Sequence, residues 1–218
     1  MEFDKIHLYR MIHIDNIPHV TLYGITHKNS PNCNPNFIPI GDVSLIGTRN
    51  ITRVNVDNGD LENPNPQNIL LGEFIPFYFG VKMPMLFVVQ NGGNFVEKRT
   101  PPEDIVYMAC SLRSITNQDI EYYFTDGHAT DSLTTFYNNT RENDIPGIIN
   151  WEAIKQGYWA GQENLNTKRK KQAEFLVKSD LPVDIIKGFG CYNEAAKQKL
   201  INMGILEDNI KIIPNSYF

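Results

Sequence analysis

Residues 74–79 read Phe-Ile-Pro-Phe-Tyr-Phe, an apolar and aromatic stretch within a chain of 218 residues. Three similar runs follow it, at residues 84–90, 105–112 and 122–125, and turn-forming residues bound each of them. Short runs of apolar, aromatic and β-branched residues between turn signals are typical of buried strands. We therefore predict that all four runs are strands of one sheet.

The sequence on the N-terminal side of this sheet predicts a strand, a short helix and a long polar segment. Residues 7–12 have the pattern of a strand, and Asn16-Ile17-Pro18 supplies an N-cap and an early proline for a helix that ends at Gly24. Residues 26–68 are dense in Asn, Pro, Gly and Asp. We expect loops there with at most one short helix, and loops of that length are usually functional or disordered.

The C-terminal side mixes helical and strand-like patterns. The predicted elements are helices at 129–137, 151–158 and 193–203, and strands at 174–177, 185–192 and 211–213. Strands come in runs and do not alternate strictly with helices, which favours an α+β fold. Without a visible linker, we expect a single domain over residues 1–218.

Composition limits where the protein works. Its apolar runs are far too short to span a bilayer, and charges begin at Glu2, so we expect neither a membrane segment nor a signal peptide. Cys33, Cys110 and Cys191 are odd in number and form no CxxC pair, which fits neither a disulfide framework nor a zinc knot. These features predict a cytoplasmic protein.

The charge pattern allows a local basic site for nucleic acid but not a surface that is basic throughout. The formal net charge is −5, which argues against holding duplex DNA by phosphate contacts alone. Residues 168–171 nevertheless read Lys-Arg-Lys-Lys. Taken alone, such a run is more often a solvated surface than a binding site.

Common catalytic motifs are absent: there is no GxGxxG, GxxxxGK[ST], HExxH or GxSxG. His13, Asp15 and His19 form only a weak metal-binding pattern, for which capping and surface hydrogen bonding are the better interpretation. Glu174 joins the basic run to an apolar strand, where an edge carboxylate facing solvent is the ordinary alternative. On spacing alone, Arg49 and Arg53 are either surface arginines or clamps for a phosphate.

Four blocks in order along the chain resemble the DarT family of DNA-modifying ADP-ribosyltransferase toxins. They are residues 9–16 (Tyr-Arg-Met-Ile-His-Ile-Asp-Asn), residues 74–79 with Pro84-Met85-Leu86, residues 124–128 (Phe-Thr-Asp-Gly-His), and residues 169–177 (Arg-Lys-Lys-Gln-Ala-Glu-Phe-Leu-Val). The resemblance implies a PARP-like ADP-ribosyltransferase fold with a central mixed or antiparallel sheet. It also implies NAD as co-substrate without a metal, single-stranded DNA as acceptor, and a macrodomain antitoxin of the DarG type.

The resemblance also implies residue roles. Glu174 matches the catalytic glutamate and Arg49 the catalytic arginine, although Arg53 lies close enough in sequence to take that place. The residues implied to bind NAD are Tyr9, Arg10, Met11, His13, Gly24, Arg49, Arg53 and Tyr78. Those implied to face DNA are His128, Lys168, Arg169 and Lys170. Arg10 departs from relatives that carry histidine at the head of the first block, which leaves it to hold either a ribose or a phosphate.

The acceptor is the least constrained part of this hypothesis. The first block and residues 39–47 look more like the thymine-modifying branch of the family, with guanine as the alternative base. An enzyme that modifies protein or RNA would keep Glu174 and Arg49 and make the basic run incidental. A non-catalytic nucleic-acid-binding module is the alternative from another class.

Overall fold

The computed structural model describes residues 2–92, 96 and 98–218. The helices are α1 (Ile17–Tyr23), α2 (Val43–Arg49), α3 (Pro84–Asn91), α4 (Leu112–Thr116), α5 (Ile145–Ile148), α6 (Trp151–Lys155), α7 (Leu165–Lys171) and α8 (Glu194–Asn202). The strands are β1 (His7–His13), β2 (Arg53–Val56), β3 (Gln67–Leu70), β4 (Ile75–Tyr78), β5 (Ile105–Ser111), β6 (Tyr122–Thr125), β7 (Phe136–Tyr137), β8 (Glu174–Val177), β9 (Ile186–Cys191) and β10 (Ile210–Ile212).

Eight strands form one sheet in the order β10-β9-β5-β1-β4-β8-β6-β7. All neighbours are antiparallel except β10 and β9, which are parallel. This arrangement confirms the predicted α+β class and the mixed sheet. The strands β2 and β3 pair separately as a two-stranded sheet.

The main core lies on one face of the large sheet. Phe77, Phe124 and Phe175 project from three neighbouring strands and are completely buried there. Full burial of a side chain of this size stabilises the fold by about 1.5–3 kcal/mol. The central aromatic run therefore anchors the sheet, as the sequence predicts.

The strands β1 and β4 separate in the middle of the sheet. β1 pairs with β5 along all seven of its residues, but it meets β4 at a single register pair, Tyr9 and Tyr78. Away from this pair the two strands leave space between them. Two cavities lie at the two ends of this junction.

The strand predicted at residues 84–90 is wrong, because that segment is helix α3. Pro84 occupies its first turn, where a missing N–H costs nothing. Leu86 and Val89, three residues apart, face a small core with Ile105 and are fully buried. A short apolar run does not by itself distinguish a strand from a buried helix.

Two further predictions need correction. Residues 129–137 are turns followed by β7 instead of a helix, because hydrogen bonds from Thr134 and Thr135 to neighbouring loop groups hold an irregular path. The segment 26–68 contains α2, as allowed, but also β2 and the first half of β3. That hairpin buries only Val56 and Ile69 among its residues, too few to give an apolar alternation in the sequence.

Within the part of the chain that the structure describes, there is no helix with the length and apolar character needed to cross a bilayer.

Candidate active site

The first cavity, of about 350 Å³, opens where β1 and β4 diverge. Its walls include Arg10 and Met11 from β1, Tyr78 from β4, and Leu45 and Arg49 from α2. A cavity of this size, mainly apolar with a few convergent polar groups, is typical of a small-molecule site. The long polar segment predicted from the sequence thus supplies one wall.

An arginine–glutamate pair connects this wall to the sheet. Nη1 of Arg49 donates hydrogen bonds to both carboxylate oxygens of Glu174, at 3.2 and 2.9 Å. The backbone N–H of Ala129 donates to Oε1 of the same carboxylate at 2.9 Å. The Arg49 side chain is 15% exposed and that of Glu174 is 0% exposed. The pair is therefore shielded from water. Charge–charge attraction is stronger in such a buried environment than in water.

Helix α2 and strand β8 fix the two partners. Asp42 caps α2 by accepting hydrogen bonds from the N–H groups of Ser44 and Leu45, and Arg49 ends the helix. Glu174 begins β8 directly opposite Tyr78, and its N–H donates to Oγ1 of Thr125. A cap at one end and a strand register at the other therefore set the position of both charged groups.

Arg49 has a free donor at the cavity wall. Its Nη2 is buried and has no hydrogen-bond partner among residues 2–92, 96 and 98–218. A buried guanidinium N–H without an acceptor costs stability, so it marks a position where a ligand oxygen would bind favourably. Glu174 itself does not line the cavity and lies behind Arg49.

Arg10 bridges the two diverging strands. Its Nη1 donates to the carbonyl oxygen of Pro76 at 2.8 Å, from β1 to β4. Burial lowers the pKa of Arg10 to about 10, and nearby Arg49 adds to this effect. Arg10 therefore stays cationic at neutral pH and adds positive charge to the cavity wall beside Arg49. Burial, with a contribution from Glu174, raises the pKa of Tyr78, which keeps its phenol protonated.

His128 lines the same cavity and is held by Thr130, whose Oγ1 lies 2.9 Å from its Nδ1. Burial lowers the pKa of His128 below its ordinary value of 6.5, although the Glu174 carboxylate opposes this shift. The imidazole is accordingly neutral at pH 7. A neutral imidazole can donate a hydrogen bond to a ligand or accept one from it, and it adds no charge to the cavity.

The lowered pKa of His128 predicts an acid sensitivity of the fold. Because the unfolded chain binds this proton more readily than the folded one, the contribution of His128 is complete above pH 6.5 and is lost as the pH falls below that value. His128→Gln should flatten the decline of Tm between pH 6.5 and about 5. Circular dichroism melts of both proteins measure this slope, and equal slopes would contradict the prediction.

The structure brings some of the predicted NAD-side residues together and leaves others apart. Arg10, Met11, Gly24, Arg49 and Tyr78 line the first cavity. Gly24 has a positive φ of 77°, and a Cβ there would collide with the carbonyl oxygen of Leu181, so its glycine is required by the backbone.

Three predicted residues lie outside that cavity. Tyr9 lines the second cavity, at the other end of the β1–β4 junction. The His13 Nδ1 accepts a hydrogen bond from the N–H of Asp15. Arg53 is exposed on β2 and donates to Asn68. Sequence spacing left open which of Arg49 and Arg53 takes the place of the functional arginine. In the structure, Arg49 lines the first cavity and Arg53 does not.

The prediction that Arg169 faces DNA does not agree with its position. Its guanidinium is buried and donates to both carboxylate oxygens of Asp126, at 2.9 and 3.1 Å, and to Oγ1 of Thr134. Its carbonyl oxygen accepts from the N–H of His128, one residue before Ala129. Arg169 therefore holds the loop that supplies the Ala129 N–H to Glu174.

We expect Arg169→Met to destabilise the fold by about 2–4 kcal/mol, because it leaves the Asp126 carboxylate without its partner. The value falls toward the lower end because the Asp126 side chain is 23% exposed. Urea denaturation measures the effect. Lys168→Met, one residue earlier and exposed, is the matched control and should change stability by less than about 0.5 kcal/mol. Equal stability of the two variants would show that the ion pair with Asp126 contributes nothing.

Sequence reasoning missed the organising role of Asn16. As the predicted N-cap of α1 it makes no side-chain capping bond. Instead its amide donates to the carbonyl oxygen of Ile38 at 2.8 Å and accepts from the N–H of the same residue at 2.9 Å. Asn16 thereby ties the polar segment to the cavity. Its sequence signals were its place as the last residue of the first block and its position as a predicted N-cap.

Comparison with known proteins places this geometry in a family. The family model described as "ssDNA thymidine ADP-ribosyltransferase, DarT" matches residues 9–218. A DNA ADP-ribosyl transferase of Escherichia coli O127:H6 is 30% identical over 197 residues, which cover 90% of this chain and 84% of that protein. A DNA ADP-ribosyl transferase–glycohydrolase fusion protein of Thermosipho africanus is 28% identical over 212 residues, which are 97% of this chain and 48% of the fusion.

Solved structures of DarT from Thermus sp. 2.9 share the fold. The complex with ADP-ribosylated ssDNA superposes with a TM-score of 0.81 at 24% identity, covering 100% of this chain and 99% of the Thermus chain. The complex with NAD+ gives a TM-score of 0.77 at 24% identity, covering 100% of both chains. With a family match over nearly the whole sequence, this chain belongs to the DarT family of ssDNA thymidine ADP-ribosyltransferases.

Proposed function

We propose that this chain transfers ADP-ribose from NAD to a base of single-stranded DNA, with thymine as the favoured base. The observation that carries the proposal is the Arg49–Glu174 pair beside a cavity with an unused guanidinium donor. Family membership supports the reaction class. The Thermus relative of the same fold has been solved with NAD+ and with ADP-ribosylated ssDNA.

The first cavity has groups that fit NAD. The free Nη2 of Arg49 can donate to a pyrophosphate oxygen, a task suited to a planar guanidinium. Arg10 adds a second positive charge near it. Met11, Leu45 and Ile46 offer apolar surface for the flat rings of the dinucleotide. The pyrophosphate and the rings of NAD would therefore bind in different parts of one cavity.

Glu174 is the proposed catalytic carboxylate. Cleavage of the bond between nicotinamide and ribose builds positive charge on the sugar, as in glycoside hydrolysis. A carboxylate that accepts a hydrogen bond from a ribose hydroxyl stabilises this charge as it develops and so lowers the barrier. Because Nη1 of Arg49 covers both carboxylate oxygens of Glu174, we infer that the guanidinium shifts toward the pyrophosphate when NAD binds, keeps its hydrogen bond to one oxygen and leaves the other open to the ribose.

The same carboxylate can serve the acceptor. The ring nitrogen N3 of thymine carries a proton and is a poor nucleophile until it loses it. Glu174 could take that proton while N3 forms the bond to the ribose carbon and nicotinamide departs. A paired base hides this edge, so an unpaired strand is the economical acceptor.

For the acceptor strand we keep His128, Lys168 and Lys170 as DNA-facing residues and leave out Arg169. His128 lies at the cavity, and the side chain of Lys168 is exposed. Lys168→Ala with Lys170→Ala should lower the slope of log K against log salt by about 0.7 for each phosphate that these lysines neutralise in the wild type. Fluorescence anisotropy with a labelled oligonucleotide measures the slope, and NAD binding should stay unchanged. An unaltered slope would move the DNA path elsewhere.

A cytoplasmic toxin role with a macrodomain antitoxin of the DarG type is part of the proposal. Its support is the Thermosipho africanus relative, in which a DNA ADP-ribosyl transferase and a DNA ADP-ribosyl glycohydrolase form one fusion protein. A glycohydrolase of that kind would remove the modification that this chain adds.

Mass spectrometry of nucleosides tests the proposed function. The chain and NAD are incubated separately with three kinds of acceptor. These are DNA oligonucleotides that together contain all four bases, RNA, and a protein lysate. An ADP-ribosyl adduct on thymidine, absent with Glu174→Gln, is the expected result. Adducts on guanosine alone would change the base, and adducts on RNA or protein alone would change the acceptor class. No adduct on any acceptor would overturn the proposal.

A further inference from the structure

A second cavity, of about 400 Å³, lies at the opposite end of the β1–β4 junction. Its walls come from residues 5–7 and Tyr9 at the start of β1, residues 79–82 after β4, and the end of α6. It shares no lining residue with the first cavity. The single pair Tyr9 and Tyr78 stands between the two spaces. The proposed reaction uses none of its side chains.

Positive charge is concentrated in this second cavity. Four lysines line it: Lys82, Lys155, Lys171 and Lys5, of which Lys5 pairs with Glu2 at 3.0 Å. Among the described residues on its walls there is no aspartate or glutamate. In a chain with a formal net charge of −5, such a local excess runs against the overall balance. A cleft lined by one sign of charge raises the local concentration of oppositely charged ligands.

Lys171 is the buried cation of the group. It is 3% exposed, and its Nζ donates to the carbonyl oxygen of Ile154 at 2.6 Å. Within residues 2–92, 96 and 98–218 no carboxylate forms an ion pair with it. Burial lowers the pKa of Lys171 to about 8, and nearby Lys82 adds to the shift. A buried ammonium without an anion is costly, and two of its three N–H donors remain for a ligand.

Aromatic side chains lie directly beside these cations. The Nζ of Lys171 is 5.8 Å from the centroid of the Trp159 ring, and the Nζ of Lys82 is 5.1 Å from that of Phe218. Trp159, Phe218 and Phe87 contact one another edge to face. Phe87 and Phe218 are 45% and 38% exposed. Exposed rings next to lysines suit a base that stacks beside its own phosphate.

We propose that this lysine-lined cavity is a phosphate-binding site, separate from the NAD cavity. The phosphate comes either from the backbone of the DNA strand or from a small free phosphate. The DNA source rests on the proposed function, whereas binding of a free phosphate does not. Lys82, Lys155 and Lys171 supply the charge, and the three rings lie next to it.

The test removes two of the more accessible lysines and leaves buried Lys171 in place. Lys82 has a positive φ of 53°, so Lys82→Asn removes the charge with a residue that tolerates this conformation. It is combined with Lys155→Ala. The matched control, Lys187→Asn with Lys211→Ala, makes the same change of net charge at exposed lysines on β9 and β10. Transfer of ADP-ribose by the wild-type chain, with an oligonucleotide whose affinity is measured, checks the proposed function separately.

Two measurements distinguish the sources. In the first, the salt slope of binding to a single-stranded oligonucleotide should fall by about 0.7 for each backbone phosphate that the cavity no longer binds, in the cavity variant but not in the control. In the second, inorganic phosphate at about five times its Kd should raise the Tm of the wild type and the control by about 2–4 °C relative to chloride, and the cavity variant should lose this rise. A change in the first alone assigns the site to the strand, and a change in the second alone to a free phosphate. If the cavity variant matches the control in both, with transfer by the wild type intact, the site does not exist.

Discussion

Glu174→Gln is expected to lower kcat for transfer to single-stranded DNA by a factor of about 10²–10⁴, the range over which a positioned proton-transfer group acts. The amide keeps the size of the side chain and an oxygen for the Ala129 N–H. It removes the negative charge that would stabilise the ribose and the base that would take the N3 proton. Single-turnover kinetics with radiolabelled NAD measure the loss.

Glutamine is the right substitution because Glu174 has no solvent-exposed surface. Glu174→Ala would remove both oxygens that accept from Arg49 and Ala129 and would open a cavity, so a loss of activity could reflect a damaged fold. Urea denaturation of Glu174→Gln checks that the fold persists, and Glu62→Gln, an exposed glutamate, serves as the control. A folded Glu174→Gln enzyme with wild-type kcat would remove Glu174 from the chemistry.

Arg49→Met should impair the kinetics with NAD, whereas Arg53→Met should not. The Arg49 guanidinium lines the cavity, pairs with Glu174 and carries the free Nη2 donor, so we expect Arg49→Met to reduce kcat/KM for NAD by about 10²–10³. Arg53 is exposed on the β2–β3 hairpin, and Arg53→Met should leave kinetics unchanged. Steady-state kinetics at varied NAD concentration separate the two.

Arg49→Lys completes this test. Lysine can neutralise Glu174 but cannot donate to the carboxylate and to a pyrophosphate from one planar group. We expect Arg49→Lys to retain most of the stability that Arg49→Met loses, while its KM for NAD stays raised. If Arg53→Met abolished transfer and Arg49→Met did not, the functional arginine would be the one on the hairpin.

Local patterns were sufficient wherever a segment fills one face of the core. The runs at 105–112 and 122–125 are strands because alternate or continuous burial leaves a readable apolar pattern. The same reasoning failed at 84–90, where Leu86 and Val89 pack as a helix face. A run of that length fits both periods, and only the neighbouring layer decides between them.

Charge patterns showed the opposite limitation. The sequence presents residues 168–171 as one basic run, yet the structure divides its members among different roles. Lys168 is exposed, Arg169 pairs with Asp126, and Lys171 is buried against Ile154. Because α7 turns successive side chains by about 100° each, adjacent cations face different surroundings.

The sequence by itself determined the fold class, the central sheet, and, through four ordered blocks, the family and its candidate residues. Tertiary structure alone decided which arginine contacts Glu174, because Arg49 and Glu174 are separated by 125 positions in the sequence. It also decided that the carboxylate lies behind Arg49 and that four lysines face one cavity. Contacts between distant segments depend on how elements pack, and that packing leaves no periodic signal in any one of them.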